Sequence, residues 1–427
     1  MAFPWLALVV FAASYVLISL RRLGNIPLER PASALLGGLA MVLFGVLTPT
    51  QAFGAMELNT LALLLGMMVL AAALETTGFY GWLAVRVAYR AKTQAQFLWW
   101  LMVATAGLSA LILNDTVVLL FTPVLLRACV HMNVQHPERF LIALILAANI
   151  GSVATEIGNP QNAYIALQSG IPFLSFLAQM ILPAALSLGL AFLVVRWMYR
   201  DRLGRETPPP QGPDLLLVGS IEKPRVLGLT VAVLGLVFVG FSFSQWWGMP
   251  LSLIALGGAI VLFTATPFVD RTVTARSLFA RVDWNVLMLF VGLFVLLEGV
   301  EVSGLLGEFL GLFEPMLGSD AAALLGISVV VAVLSNLVSN VPAVLLLAPL
   351  ADQIGGDLPW LALAAASALA GNATLLGAAA NLIVAEVAES RGHTVRFWEF
   401  LRVGLPVTVI TLAASLAILW LQQALLP

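Results

Sequence analysis

Charge is scarce in this chain. Only 10% of its residues are Asp, Glu, Lys or Arg, where an ordinary soluble domain carries about 25%. A chain so poor in charge, 61% hydrophobic and with a mean hydropathy of +1.02, reads as a polytopic membrane protein set in a lipid bilayer. A single cysteine, Cys129, excludes an internal disulfide and a cysteine metal cluster. The three histidines (His131, His136, His393) lie scattered in polar connections, so no metal site is expected. No basic tract accompanies the net charge of −2, and nucleic acid is not an expected partner. There is no Gly-rich phosphate loop, no Ser-His-Asp set and no paired carboxylates, so neither catalysis nor a cofactor is expected. The apolar run 3–20 lacks a basic start and a small-residue cleavage site, and reads as the first membrane helix rather than a removed signal.

What is present is a repeat. A shift of 226 positions lays Asn59 on Asn285, Gly66 on Gly292, Glu75 on Glu301, Gly78 on Gly304, Asn114 on Asn340 and Pro123 on Pro349. With a slightly smaller shift, Thr155 meets Thr374, Gly158 meets Gly377 and Asn162 meets Asn381. A duplicated apolar half with Asn, Gly and Pro at matched points is the pattern of a secondary transporter whose site lies between its halves.

All 20 Lys and Arg fall in six clusters between apolar runs, near 21–30, 86–92, 127–139, 196–225, 271–281 and 391–402. The positive-inside rule places these clusters in the cytoplasm. Runs 3–20, 31–47, 58–75, 140–169 and 174–198 then cross in the first half, and 226–243, 249–266, 284–301, 360–388 and 403–425 in the second. The stretch 96–131 has basic residues at both ends and must return to its own side, as a re-entrant hairpin with Asn114-Asp115 at its tip. The stretch 320–351 is its counterpart, entered from outside. The expected organisation is all-α: an inverted repeat of residues 1–200 and 225–427 with about ten transmembrane helices and two hairpins, joined by a cytoplasmic linker at 201–224. Both termini lie outside an inner membrane. Segments 78–91 and 304–314, each following a matched glycine, are expected along the interface.

The chemistry is expected at two repeated signals. Leu113-Asn114-Asp115-Thr116 and Ser339-Asn340-Val341-Pro342 occupy the hairpin tips, where a turn frees backbone N–H groups at the positive end of the next helix. Gly158-Asn159-Pro160-Gln161-Asn162 and Gly371-Asn372-Ala373-Thr374 through Gly377 to Asn381 interrupt helices, because proline removes a donor and glycine weakens the helix. Two tips facing two breaks make one midplane site, with Asn114, Thr116, Asn159, Asn162, Ser339, Asn340, Asn372, Thr374 and Asn381 as solute-binding residues. Asp115 has Val341 as its counterpart and is the first candidate for proton coupling; Glu156, beside the first break, is the second. Glu75 and Glu301 read as structural or gating residues, and Pro123, Pro183, Pro349 and Pro406 as kinks. No Lys or Arg is expected within the membrane, so a small neutral polyhydroxyl solute suits the site better than a multiply charged anion.

Two inverted halves, each with a hairpin and a broken helix, resemble the ion transporter superfamily. Within it, Asn114-Asp115 followed by Thr122-Pro123 is similar to the arsenite/antimonite permease (ArsB) pattern, and Ser339-Asn340-Val341-Pro342 to the second hairpin of that group. The first tip, Leu-Asn-Asp-Thr, departs from the Ser-Asn-Thr of sodium-dependent dicarboxylate carriers. The resemblance implies export of arsenite or antimonite against entering protons, in some members with a separate cytoplasmic ATPase subunit. A sodium-coupled carrier of inorganic or carboxylate anions and a sodium/proton antiporter stay open as alternatives, as does a homodimer. A scaffold is disfavoured, since it needs no polar residues at paired breaks.

Overall fold

Inside a membrane an apolar run can satisfy its own backbone only as a helix, and this constraint shapes the whole chain. A computed structural model describes residues 4–20, 22–23, 26–27, 29–203, 219–313 and 320–425. The first half contains α1 (Pro4–Leu20), α2 (Arg30–Leu43), α3 (Pro49–Gly54), α4 (Leu58–Glu75), α5 (Phe79–Arg90), α6 (Gln94–Leu111), α7 (Asn114–His131), α8 (Glu138–Gly151), α9 (Pro160–Ser169), α10 (Phe173–Met198) and α11 (Arg200–Leu203). The second contains α12 (Pro224–Trp247), α13 (Leu251–Val269), α14 (Ala275–Phe279), α15 (Trp284–Val302), α16 (Leu305–Gly311), α17 (Asp320–Val338), α18 (Asn340–Ile354), α19 (Asp357–Ala370), α20 (Ala379–Glu389) and α21 (Phe397–Leu425). A two-residue strand pair, Arg22–Leu23 with Ile26–Pro27, lies between α1 and α2. Of the linker expected at 201–224, positions 204–218 with the Pro208-Pro209-Pro210 run lie outside the described residues, as do Arg21 and Glu314.

Among the described residues, six helices (α4, α10, α12, α13, α15 and α21) are long and apolar enough to cross a membrane. Others are short because they stop midway: α8 and α9, like α19 and α20, are separated by irregular backbone. Every residue from Arg139 to Gly151 and from Leu358 to Ala370 is buried within the protein, so α8 and α19 form its centre. The outer helices carry exposed apolar side chains such as Leu236 and Phe268.

Packing repeats when the halves are exchanged. Helix α2 packs on α15 and α13 on α4; α6 packs on α8 and α17 on α19; α7 packs on α20 and α18 on α9; α10 meets its own counterpart α21. The matched glycines set two of these crossings. A Cβ on Gly66 would stand 2.6 Å from the Ala255 carbonyl carbon, and one on Gly292 would meet the backbone at Ala34. Gly78 and Gly304, with φ of 78° and 83°, turn the chain into α5 and α16 at equivalent points.

Segments bearing the basic clusters gather together. Glu75 pairs with Arg281. His393 lies 3.9 Å from Glu138, Lys223 donates to Thr272 at 2.8 Å, and the Glu222 N–H donates to the Thr77 carbonyl at 2.9 Å. Pro123, Pro183, Pro349 and Pro406 all lie inside helices.

The tight crossing predicts a paired result. Gly66→Val is expected to lower the melting temperature in detergent, reflecting about 1–3 kcal/mol of overpacking. Gly257→Ala, on the same partner helix α13 but with nothing within 4 Å of its Cβ, should leave the melt unchanged or slightly raised. Equal melts for Gly66→Val and wild type would contradict the crossing.

Candidate functional site

Each tip is a helix start set off from the preceding helix by only one or two non-helical residues. In the first half α6 ends at Leu111, Ile112 and Leu113 are extended, and Asn114 opens α7. The Asn114 N–H, which has no carbonyl in its own helix, donates to the Gly158 carbonyl at 2.9 Å. Its side-chain oxygen accepts from the Asp115 N–H at 2.9 Å, and its amide nitrogen donates to Asn149 Oδ1 at 3.2 Å. In the second half Ser339 turns the chain with φ 80°, in a region that side-chain-bearing residues rarely occupy. Its hydroxyl accepts from Arg30 Nη1 at 3.1 Å, and the Pro342 carbonyl accepts from Tyr15 at 3.2 Å. With its amide oriented by its neighbours, Asn340 donates to the Ser367 and Gly377 carbonyls at 3.0 and 2.9 Å and accepts from Gln161 at 3.3 Å.

The breaks are held by matched asparagines. Asn162 Nδ2 donates to the Ser152 and Thr155 carbonyls at 3.1 and 3.0 Å. Asn381 Nδ2 donates to the Gly371 and Thr374 carbonyls, the equivalent pair, at 2.6 and 2.9 Å. One amide on the following helix thus satisfies two carbonyls released by the preceding one. Hydroxyls tie each break to its hairpin: Thr155 donates to the Ala110 carbonyl at 2.6 Å, and Thr374 to Asn336 Oδ1 at 2.8 Å. Asn159 caps α9 by accepting from the Asn162 N–H at 2.8 Å. Asn159, Asn162, Thr374 and Asn381, expected to face solute, therefore direct these donors and acceptors to the backbone and hairpins around the breaks.

Asn149 joins the halves. Beyond its bond from Asn114, its Nδ2 lies 3.0 Å from Asn372 Oδ1 and 2.9 Å from Asn381 Oδ1. Through Asn149 the starts of α7 and α20 are tied together, and through Gln161 those of α9 and α18, so four helix starts, each with its positive end, are bonded in two buried pairs.

The charged groups are asymmetric. Asp115, partly buried, interacts with the Arg30 guanidinium and the Ala380 N–H in the first turn of α20, and faces Asp283. Helix α20 has Ala378 at its N-cap and no cap from its own side chain, so Asp115 supplies a negative group at its start. Arg30 corrects the expectation of a site without Lys or Arg: it opens α2, which packs between α1 and α15, and thereby reaches the second tip. Thr116 is partly buried, and its hydroxyl meets no protein partner among the described residues. Glu156 is fully buried. Of the expected residues, all but Thr116 and Glu156 join the hydrogen-bonded and charged network around the tips and breaks.

Asn149, Asn336, Gln161, Ser367 and Arg30 were missed as site residues. Asn149 carried a readable signal, a lone amide inside the apolar run 140–151.

The sequence profile of the citrate transporter family, CitMHS, matches residues 15–370. An uncharacterized transporter of Mycobacterium tuberculosis is 31% identical over 98% of this chain and 99% of its own length. The silicon efflux transporter LSI3 of Oryza sativa subsp. japonica is 30% identical, covering 96% of each chain. The putative transporter arsB of Dictyostelium discoideum is 25% identical over 97% of this chain and 92% of its own. Among solved structures, MtrF of Neisseria gonorrhoeae is similar in fold, with a TM-score of 0.58 at 14% identity over 97% of this chain and 94% of its own. The YdaH transporter of Alcanivorax borkumensis aligns with a TM-score of 0.57 at 16% identity over 99% and 97%.

Asn149→Ala should lower thermal stability by on the order of 1 kcal/mol per lost bond across the halves. Asn149→Ala combined with Asn381→Ala should cost less than the two single changes summed, since they share one bond. Strict additivity in the detergent melt would contradict the link.

Proposed function

The chain belongs to the citrate transporter family, and from that premise we propose that it exports a small neutral metalloid hydroxide, arsenite or antimonite, in exchange for protons by alternating access. The protein is a multi-pass membrane transporter; its cargo, direction and coupling are the proposal. One observation carries the reading: Asp115 stands beside the Asn114 amide at the first tip, in interaction with Arg30, Asp283 and the Ala380 N–H. Arg30 offsets part of the negative charge of Asp115 and Asp283, and the uncharged groups at the tips offer a solute hydrogen bonds. Similarity to a silicon efflux transporter and to a putative arsB transporter supports efflux of a metalloid.

In this reading Asn114, Thr116, Ser339 and Asn340 contact the solute, because they stand at the tips. Asn159, Asn162, Asn372, Thr374 and Asn381 hold the breaks that shape the site. An ionised Asp115 accepts a hydrogen bond from a solute hydroxyl; Arg30 and the Ala380 N–H favour that charged form, and burial and Asp283 favour the protonated one. Protonation removes that acceptor and releases the solute, so proton and cargo alternate at one carboxyl. The halves in inverted orientation, with hairpins 96–131 and 320–351 entering from opposite sides, would rock about the α8–α19 centre. A cytoplasmic ATPase subunit and a homodimer are compatible with this scheme and form no part of it.

A second reading, a sodium-coupled carrier of carboxylate or inorganic anions, is favoured by Arg30 at the second tip. A guanidinium fork suits a carboxylate, and the family takes its name from citrate.

Arsenite uptake into everted membrane vesicles separates the two. The proposal expects uptake driven by a proton gradient, and a drop of about tenfold or more in Asp115→Asn, a loss of about 1.4 kcal/mol or more in the barrier it lowers. Sodium-driven citrate uptake that survives Asp115→Asn and fails in Arg30→Gln would replace it with the second reading.

A further inference from the structure

Asp115 has partners for its charge. Glu156 has none: it is fully buried, and neither carboxyl oxygen meets a hydrogen-bond donor among the described residues. An ionised carboxylate in such a place carries a desolvation penalty with no hydrogen bond or counter-charge to offset it. A carboxyl there is stable as the neutral acid.

Its surroundings show what its ionisation would move. The 3-10 turn Ser152–Ala154, which ends two residues before Glu156, packs on α6, α8, α10 and α19. Helix α6 has no charged residue; Glu138 and Arg139 stand at the far end of α8, Arg196 in the last turn of α10 and Asp357 at the first residue of α19. Among the described residues no charged side chain acts on Glu156, and Asp115 at the start of α7 interacts instead with Arg30, Ala380 and Asp283. The flanking residues are both fastened to the first hairpin. Thr155 donates to the Ala110 carbonyl at the end of α6, and the Gly158 carbonyl accepts from the Asn114 N–H at the start of α7. Gly158 is wedged so tightly that a Cβ would stand 2.5 Å from the Ser152 carbonyl oxygen and 2.8 Å from that of Ser109. Glu156 thus lies between two fastenings, and it cannot swing towards water without pulling on one of them. In the second half the position after Thr374 is Leu375, and that hairpin is tied through the side chain of Asn336.

We propose that Glu156 is a second proton-binding site, separate from Asp115, whose neutral form locks the first break onto the tip of the first hairpin and whose ionised form releases it. The inference rests on the reading of the chain as a proton-coupled transporter and adds a gate to it: the proton whose loss unlocks the hairpin is not the one that displaces solute.

The test needs no substrate. Infrared difference spectra of the full chain in lipid bilayers, titrated with pH, should show a protonated-carboxyl band that is lost in Glu156→Gln and retained in Asp115→Asn. In a Cys129→Ser background, thiol labelling of Leu113→Cys at the buried tip should rise several-fold with pH as that band disappears, and become flat in Glu156→Gln. If Glu156→Gln does not fold, Glu156→Asp must shift the band. A band unchanged by Glu156 substitution, a band displaced by sodium at constant pH, or pH-dependent labelling that survives Glu156→Gln would each overturn the proposal. Failure of arsenite transport alone would leave these readouts untouched, so the two proposals fail separately.

Discussion

A helix that stops inside an apolar layer leaves N–H and C=O groups without partners on both sides of the break, and water is not there to take them. The rest of this structure depends on how that debt is met. Asn162 and Asn381 each reach back across a break and satisfy two carbonyls. Thr155 and Asn336 then tie the breaks to the hairpins, and Asn149 ties one half to the other. Because these amides satisfy the breaks, the protein can hold four helix starts in its interior. Those helix starts are what a hydroxylated or anionic solute would meet. Fold and candidate site are therefore products of one requirement.

The two halves meet the requirement differently where it counts. Helix α9 is capped by its own Asn159, whereas α20 has Ala378 at that place and Asp115 of the other half beside its first turn. Asn149 has Ala368 as its counterpart, and Glu156 has Leu375. Residues matched at fixed shifts supply the frame of breaks and tips. Departures from it place the acids, Arg30 and the bridging amide on one side of the symmetry, and a device that couples two movements needs such a difference between its halves.

Much of this was readable in the chain. The tips at Asn114 and Asn340 and the breaks at Gly158 and Gly371 follow from polar and helix-weakening residues recurring at fixed shifts, and the helical class follows from scarcity of charge. What escaped has a common cause. Matching one half against the other selects residues that repeat, and Asn149 and Asn336, whose partners are Ala368 and Ala110, do not. Arg30 escaped for another reason: grouping basic residues by the charge rule assigns them all to the surface, and only packing shows α2 bringing this one to Ser339. The roles of Asn162 and Asn381 also needed coordinates, since spacing cannot say whether an amide faces a solute or a carbonyl.

The central claim is that solute binds between the two hairpin tips, where the halves converge. Antimonite bound to the full chain in a crystal, located by the anomalous scattering of antimony, tests it most directly. The account predicts one peak within hydrogen-bonding reach of both Asn114 and Asn340, close to Asp115. A peak elsewhere, for instance in the cavity of about 620 Å³ beside Arg396 and Arg402, with none between the tips, would contradict it.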